Sequence, residues 1–257
     1  MGRFEDRTVV VTGGGGGIGG ALCRGFAAEG AAVAVLDRSG EAADAVARSI
    51  AAAQPAGRAL GVVCDITERA SVDAAVDAVT TRLGPIDVLV NNAGWDLFVP
   101  FLDTHPTDWA RLIDINLVGA LHVHHAVLPG MVARGGGRVV TVSSDAARVG
   151  SSGEAVYAAC KAGLVAFTKT LAREHARHGI TLNVVCPGPT DTPLLATVTD
   201  AAANPEGLRE AFRRAIPLGR LGRPDDLVEA VLFFAGDGAA FVTGQVLSVS
   251  GGLTMAG

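Results

Sequence analysis

Tyr157 is the only tyrosine in 257 residues, and Lys161, four positions on, is one of two lysines, Lys169 being the other. Arginine supplies the other 19 of the 21 basic residues. In a helix, positions i and i+4 share a face, so a phenol and an ammonium would project side by side. A free phenol titrates near 10, too high to take a proton at neutral pH. A nearby ammonium favours the phenolate and lowers that value. Such a pair can remove a proton from an alcohol or give one to a ketone. The plain alternative is a buried tyrosine with a snorkelling lysine, and the scarcity of both residue types weakens it.

A second chemical signal is "VTGGGGGIGGA" (11–21). Glycines between a strand and a helix let backbone N–H groups approach a pyrophosphate at the helix N-terminus. Five consecutive glycines satisfy G-x-G-x-x-G in two registers, 14/16/19 and 15/17/20, so this signal alone is weak. Asp37, at the end of the next apolar run, strengthens it. A carboxylate there can accept hydrogen bonds from both ribose hydroxyls and repels a 2′-phosphate. His122, His124 and His125 share one helical segment without a third ligand at matching spacing, so no metal is expected.

These residues need elements to hold them. Short β-branched runs at 8–13, 31–37, 60–65, 86–92, 137–144, 180–188 and 245–252 predict strands. Helical spacing predicts helices at about 18–29, 40–53, 68–82, 107–134, 155–178 and 224–236. Ser39, Thr67 with Glu68, and Pro224 with Asp225 and Asp226 are the expected helix starts. The strands are apolar almost throughout, as in a parallel sheet covered on both faces. The pattern runs without a linker, so 1–257 reads as a single doubly wound α/β domain. The stretch 189–223, rich in Pro, Gly and Thr, reads as a partly helical substrate loop or lid.

Composition excludes several classes. Net charge is −5, without basic runs or aromatic–basic interleaving, which argues against nucleic acid. Cys23, Cys64, Cys160 and Cys186 form no CxxC and read as small buried hydrophobes in a reducing cytoplasm. No signal-peptide core follows Met1, and no uninterrupted apolar run approaches the roughly 18 residues of a membrane span. A cytoplasmic protein is expected.

The chain resembles the short-chain dehydrogenases/reductases over essentially its whole length. The resemblance rests on Thr12-Gly13-xxx-Gly17-Ile18-Gly19, Asp65, Asn91-Asn92-Ala93-Gly94, Asn116 in "IDINLVG", Ser144, "YAACK" and Pro187-Gly188. It implies a Rossmann-type fold with a seven-stranded parallel sheet. It implies a catalytic tetrad of Asn116, Ser144, Tyr157 and Lys161. In that set Tyr157 is the general base for oxidation, Ser144 holds the reacting oxygen, and Lys161 lowers the phenol and grips the nicotinamide ribose. Asn116 breaks its helix and holds a water. Ser143 is then strand packing. The implied cofactor set is Gly13, Gly17, Ile18, Gly19, Asp37, Asp65, Ile66, Asn92, Ala93, Gly94, Pro187, Gly188, Thr190 and Thr192, together with Tyr157 and Lys161. NAD is expected over NADP because of Asp37 and the unbranched Gly14–Gly16, although Arg38 could grip a 2′-phosphate.

The resemblance further implies a homotetramer, with 107–134 and 155–178 at one interface. It implies a small-molecule substrate, an acyl-CoA above all: a 3-hydroxyacyl-CoA, with 2-hydroxycyclohexanecarboxyl-CoA favoured. The alternatives are 3-oxoacyl-thioester reduction and general secondary-alcohol or polyol oxidation. Trp95, Phe98, Leu194 and Leu195 are available to line an apolar pocket. Arg148, Arg213 and Arg214 are candidates for CoA phosphates. A non-catalytic dinucleotide sensor is the rival class, and the tetrad speaks against it.

Overall fold

The computed structural model describes residues 2–54, 57–200 and 204–256. β1 (Thr8–Thr12) leads through the glycine turn into α1 (Gly17–Ala28). β2 (Ala32–Asp37), α2 (Gly40–Ala53), β3 (Ala59–Val63), α3 (Arg69–Leu83) and β4 (Ile86–Asn91) follow. After a loop, α4 (Pro106–Ile113) and α5 (Gly119–Arg134) flank a π-helical segment, Asp114–Val118. β5 (Gly137–Val142), the short α6 (Ala146–Val149), α7 (Ala155–His175) and β6 (Ile180–Pro187) come next. The chain closes with α8 (Pro193–Asp200), α9 (Pro205–Ala215), α10 (Val228–Ala235) and β7 (Val246–Val249).

All seven strands pair in parallel, in the order β3-β2-β1-β4-β5-β6-β7. Alternate residues of each strand enter different cores, which explains the unbroken apolar runs. Val9, Val11, Val33, Val35, Val88 and Val90 meet Leu22 and Phe26 of α1, Val46 and Ile50 of α2, and Val231 and Phe234 of α10. Val10, Ala34, Leu36, Leu89 and Leu182 meet Val72 and Val79 of α3, and Val123, Val127 and Met131 of α5. The strand order reverses between β1 and β4. A crevice opens at such a switch point, beyond the carboxyl ends of the strands.

One expected helix start holds, and two expectations need refinement. Ser39 caps α2, its hydroxyl accepting from Ala42 N at 3.3 Å. Thr67 does not cap α3; its N–H and hydroxyl both donate to Asp65 Oδ1, at 2.9 and 2.7 Å, so it closes a turn one step earlier. The helix expected over 107–134 is interrupted at the π segment, where one extra residue per turn rotates Asn116 out of register. The stretch Pro106–Arg134 is long and apolar enough by composition to span a membrane. In the fold its apolar side, with Val123, Val127, Leu128 and Met131, is buried in the core.

Phe26 is fully buried and meets Phe4 edge-on, with ring centroids 4.9 Å apart. Phe26→Ala removes a ring from a close-packed site and should cost about 3–5 kcal/mol. Urea unfolding followed by fluorescence or circular dichroism measures this. A loss below about 1 kcal/mol would show that the site collapses around the void or that α1 is not tied to this core.

Candidate active site

One cavity of about 560 Å³ runs across the crevice. Gly16, Gly17, Ile18, Gly19 and Asp37 line one limb. Gly17 has φ +53°, a conformation that disfavours side chains. A Cβ on Gly19 would stand 2.1 Å from the Gly13 carbonyl oxygen, so the helix can approach the turn only as glycine. Gly16 has open space around it and an extended backbone; it is the one glycine of the run that geometry leaves free. Asp37 accepts from Gly15 N and Ser39 N, one bond to each oxygen, both at 3.0 Å. The carboxylate is thereby fixed with lone pairs still facing the cavity. A narrow glycine cradle ending at an oriented carboxylate fits the adenosine end of a dinucleotide.

The middle of the cavity is built by β1 and β4 together. Thr12 Oγ1 accepts from Asn92 N and Ala93 N at 3.0 and 3.1 Å, and Asn92 Nδ2 donates to Thr12 O at 3.0 Å. This side chain locks the Asn-Ala-Gly turn over the glycine loop. Pro187, Gly188, Thr190 and Thr192 line the facing wall, after β6.

The catalytic candidates converge at the far limb. Lys161 is 3% exposed, and its Nζ donates to Val142 O at 3.2 Å. Burial lowers its pKa to about 8. A Cβ on Gly94 would lie 3.0 Å from Asn116 Oδ1 and 3.2 Å from Lys161 Nζ, so glycine there lets these two groups flank one point. Asn116 itself is held by Trp95: Oδ1 accepts from Trp95 N at 3.1 Å, and Nδ2 donates to Trp95 O at 2.7 Å. The π segment creates that reach. Both serines border the cavity, but Ser143 Oγ is buried and donates to Lys161 O at 2.9 Å, whereas Ser144 is partly exposed and its hydroxyl pulls the Tyr157 pKa down. The two adjacent serines thus point to opposite duties.

The phenol departs from expectation. Lys161 Nζ lies 5.7 Å from the Tyr157 ring centroid, yet the phenol pKa is pushed up, by burial first and then by the negative charges of Asp96 and Glu154. The Ser144 bond pulls the other way. These surroundings hold Tyr157 protonated, the state that gives a proton to a carbonyl oxygen.

Several expected site residues lie elsewhere. Asp65 and Ile66 are not among the cavity-lining residues, and the Asp65 carboxylate is taken by Thr67. Trp95 does not line the cavity either: Arg111 stacks on its ring at 4.0 Å. Arg148 Nη1 donates to Ser248 at 2.9 Å and Nη2 donates to Ala256 O, so it ties the C-terminal segment down and is not free to grip a phosphate. Arg213 and Arg214 both pair with Glu210 of their own helix. Leu194, Leu195 and Phe98 do line the cavity, joined by Phe212, Val198, Val149, Leu253 and Thr254. Asp96 and Glu154 also line it, and sequence reasoning passed over both. Their signal was available: Asp96 stands two residues past Gly94, and Glu154 stands three before Tyr157, at the start of the same helix.

A family model described as "Enoyl-(Acyl carrier protein) reductase", of the short-chain dehydrogenase type, matches residues 14–254. The chain is a short-chain dehydrogenase/reductase. It is 38% identical to the 3-oxoacyl-[acyl-carrier-protein] reductase of Thermotoga maritima over 253 residues, covering 98% of this chain and 100% of that protein. It is 41% identical to the cis-4-hydroxycyclohexanecarboxylate dehydrogenase of Sinomonas cyclohexanicum over 255 residues, covering 98% of each. The crystal structure of a 3-ketoacyl-(acyl-carrier-protein) reductase from Brucella melitensis, complexed with NADH, superposes with a TM-score of 0.89 at 34% identity, over 98% of this chain and 99% of that one. As a short-chain dehydrogenase/reductase the protein is an oxidoreductase acting on CH–OH groups.

The serine pair offers a separation of roles within this short-chain dehydrogenase/reductase. Ser144→Ala should lower kcat about a hundredfold by removing a donor at the reacting oxygen. Ser143→Ala should leave kcat within a few-fold and cost about 1 kcal/mol of stability through the lost bond to Lys161 O. Steady-state rates and denaturant midpoints of both variants read this; reversed effects would exchange the two serines.

Proposed function

We propose that this protein is an NAD(H)-dependent oxidoreductase that interconverts a secondary alcohol and its ketone, with Tyr157, Ser144, Lys161 and Asn116 as its catalytic set. The observation that carries this reading is the continuity of one cavity from the glycine cradle and Asp37 to Ser144, Tyr157 and Lys161. A nicotinamide dinucleotide bound along it supplies the hydride acceptor or donor. In reduction, the Tyr157 phenol gives its proton to the carbonyl oxygen while Ser144 holds that oxygen. In oxidation, the same phenolic oxygen receives the hydroxyl proton. Lys161, the only buried cation at the site, is placed to hold the ribose and to oppose the negative charge left on the phenolate. Asn116 positions the turn at Gly94–Trp95, against which a nicotinamide would lie.

The choice of NAD over NADP is supported by Asp37, whose fixed carboxylate would repel a 2′-phosphate. Arg38 is exposed beside it, and it adds a smaller pull to the Thr67 hydrogen bonds that hold the Asp65 carboxyl below its usual value. kcat/KM should favour NAD⁺ over NADP⁺ by tenfold or more, and Asp37→Asn should shrink the ratio. A clear NADP⁺ preference in the native enzyme would show that Arg38 overrides Asp37.

Tyr157→Phe should cut kcat by roughly a hundred- to ten-thousand-fold, the usual contribution of a positioned acid or base. NADH binding, read by fluorescence, should stay within a few-fold. Wild-type turnover in this variant would overturn the mechanism.

Two substrate readings follow. A free cyclic or short-chain secondary alcohol is supported by the apolar lining from Phe98, Phe212, Leu194 and Leu195, and by kinship with a cyclohexane-ring alcohol dehydrogenase. A 3-hydroxyacyl thioester, 2-hydroxycyclohexanecarboxyl-CoA included, is supported by kinship with the acyl-carrier-protein reductases. The occupied state of Arg148, Arg213 and Arg214 weighs for the free alcohol.

A further inference from the structure

Beyond the tetrad, the cavity carries a pair of neighbouring carboxyl groups, alongside the polar side chains of Asp145, Ser151 and Thr254. Asp96 follows the Asn-Ala-Gly turn and is 9% exposed. Its Oδ1 accepts from the adjoining Leu97 N at 2.7 Å, and its other partner is Glu154. Glu154 immediately precedes α7, one helical turn before Tyr157. Neither carboxyl forms an ion pair among the described residues. Both line the cavity that holds Ser144 and Tyr157. Around them the wall is apolar: Phe98 meets Phe212 edge-on at 6.4 Å, with Leu194, Leu195 and Val198 alongside. The only basic side chain lining this cavity is Lys161.

Two carboxyl groups in such a place are costly without a partner. Stability alone would replace them with apolar side chains, as elsewhere on the same wall. A buried carboxylic acid beside a second carboxyl offers both a donor and an acceptor. That combination matches a hydroxyl group, which also both donates and accepts. It opposes a carboxylate, which can only accept and carries like charge. Burial, with Glu154 beside it, raises the Asp96 carboxyl to about 8, Lys161 pulling the other way, so Asp96 favours its protonated form at neutral pH.

We propose that Asp96 and Glu154 form a specificity-determining subsite that hydrogen-bonds a second hydroxyl of the substrate, one or two carbons from the reacting carbon. The substrate class is then a neutral diol, polyol or hydroxyketone. This rests on the reading of Tyr157 and Ser144 as the reacting end of the cavity and adds the polar anchor at its other end. A substrate hydroxyl bound by the pair completes a hydrogen-bonding set that is otherwise half empty. A substrate with a carboxylate near the reacting carbon is rejected by charge. A substrate without a second polar group leaves the pair unpartnered, which makes discrimination against it large.

The test compares NAD-linked oxidation of cyclohexanol, cyclohexane-1,2-diol (both isomers), 2-aminocyclohexanol and 2-hydroxycyclohexanecarboxylate by the native enzyme, Asp96→Asn, Glu154→Gln and the double variant. Native kcat/KM for the better diol isomer should exceed that for cyclohexanol by at least tenfold, with the carboxylate poorest. In the double variant the diol-to-cyclohexanol ratio should fall several-fold and the carboxylate should gain relative to both. Glu154→Gln is half-exposed and near-isosteric, so it serves alone if the buried Asp96→Asn variant fails to fold. Turnover of cyclohexanol and diol at equal kcat/KM, with the variants moving all substrates alike, would overturn the subsite and leave the oxidoreductase reading standing. Preference for the amino alcohol over the diol would overturn the neutral-hydroxyl assignment. Absence of turnover on every alcohol with either dinucleotide would bring down the reading of the reacting end, and the subsite with it.

Discussion

A buried ammonium organises this active site. Lys161 is 3% exposed, and its head group reaches a single protein acceptor, Val142 O. Removing a charge from water with so few partners is unfavourable, and its lowered pKa records that cost. The surroundings are arranged around it. β5 ends where its last carbonyl meets Nζ. Ser143, one residue further, bonds the main-chain carbonyl of Lys161 and fixes α7 against the strand. Gly94 carries no side chain, so Asn116 Oδ1 and Lys161 Nζ can stand on either side of it. The π segment gives Asn116 its reach. Four elements distant in sequence thus meet at one cation, and a parallel sheet with helices on both faces is the frame that brings their ends together.

The phenol beside this cation sits in a contest of fields. Lys161 Nζ stands 5.7 Å from the Tyr157 ring centroid, and the Asp96 and Glu154 carboxyls are close enough to raise the phenol pKa. Without ligands the carboxyls and burial prevail, and Tyr157 is held protonated. The simple picture of a lysine that lowers its neighbouring tyrosine is incomplete here, because Lys161 is buried and is itself drawn toward neutrality. The electrostatics of the free chain favour proton donation. Proton acceptance needs additional positive charge, or less negative charge, within a few ångströms of the ring.

The sequence made the frame legible because the frame is repetitive and local. Seven β-branched runs became seven strands within a residue or two at most ends, since a strand covered on both faces must be apolar at every position. The glycine turn and the Tyr-Lys spacing were legible for the same reason: each is a local geometric requirement. What escaped were side chains whose partners are remote. Arg148 read as a free cation because Ser248 and Ala256 lie about a hundred residues away in sequence. Trp95 read as pocket wall because Arg111, which covers it, belongs to a helix whose placement no local pattern reveals. Asp65 differs, since the partner of its Oδ1 is only two residues on, in a turn that the expected Thr67 helix cap concealed. Asp96 and Glu154 lay within stretches noted for their glycine and tyrosine, and only the fold shows that these two carboxyls face each other.

That juxtaposition links specificity to catalysis in one field. The carboxyls that raise the Tyr157 pKa also line the cavity, where they are the proposed anchor for a substrate's far end. A group that donates hydrogen bonds to Asp96 and Glu154 withdraws negative charge from the phenol's surroundings and stabilises its ionised form. A group that adds negative charge there does the opposite. The fit of the non-reacting end of a substrate is therefore felt at the oxygen that moves the proton, with no change in backbone needed to transmit it. Discrimination arising this way appears in kcat as well as in KM, since the proton-transfer driving force itself depends on what the carboxyl pair holds.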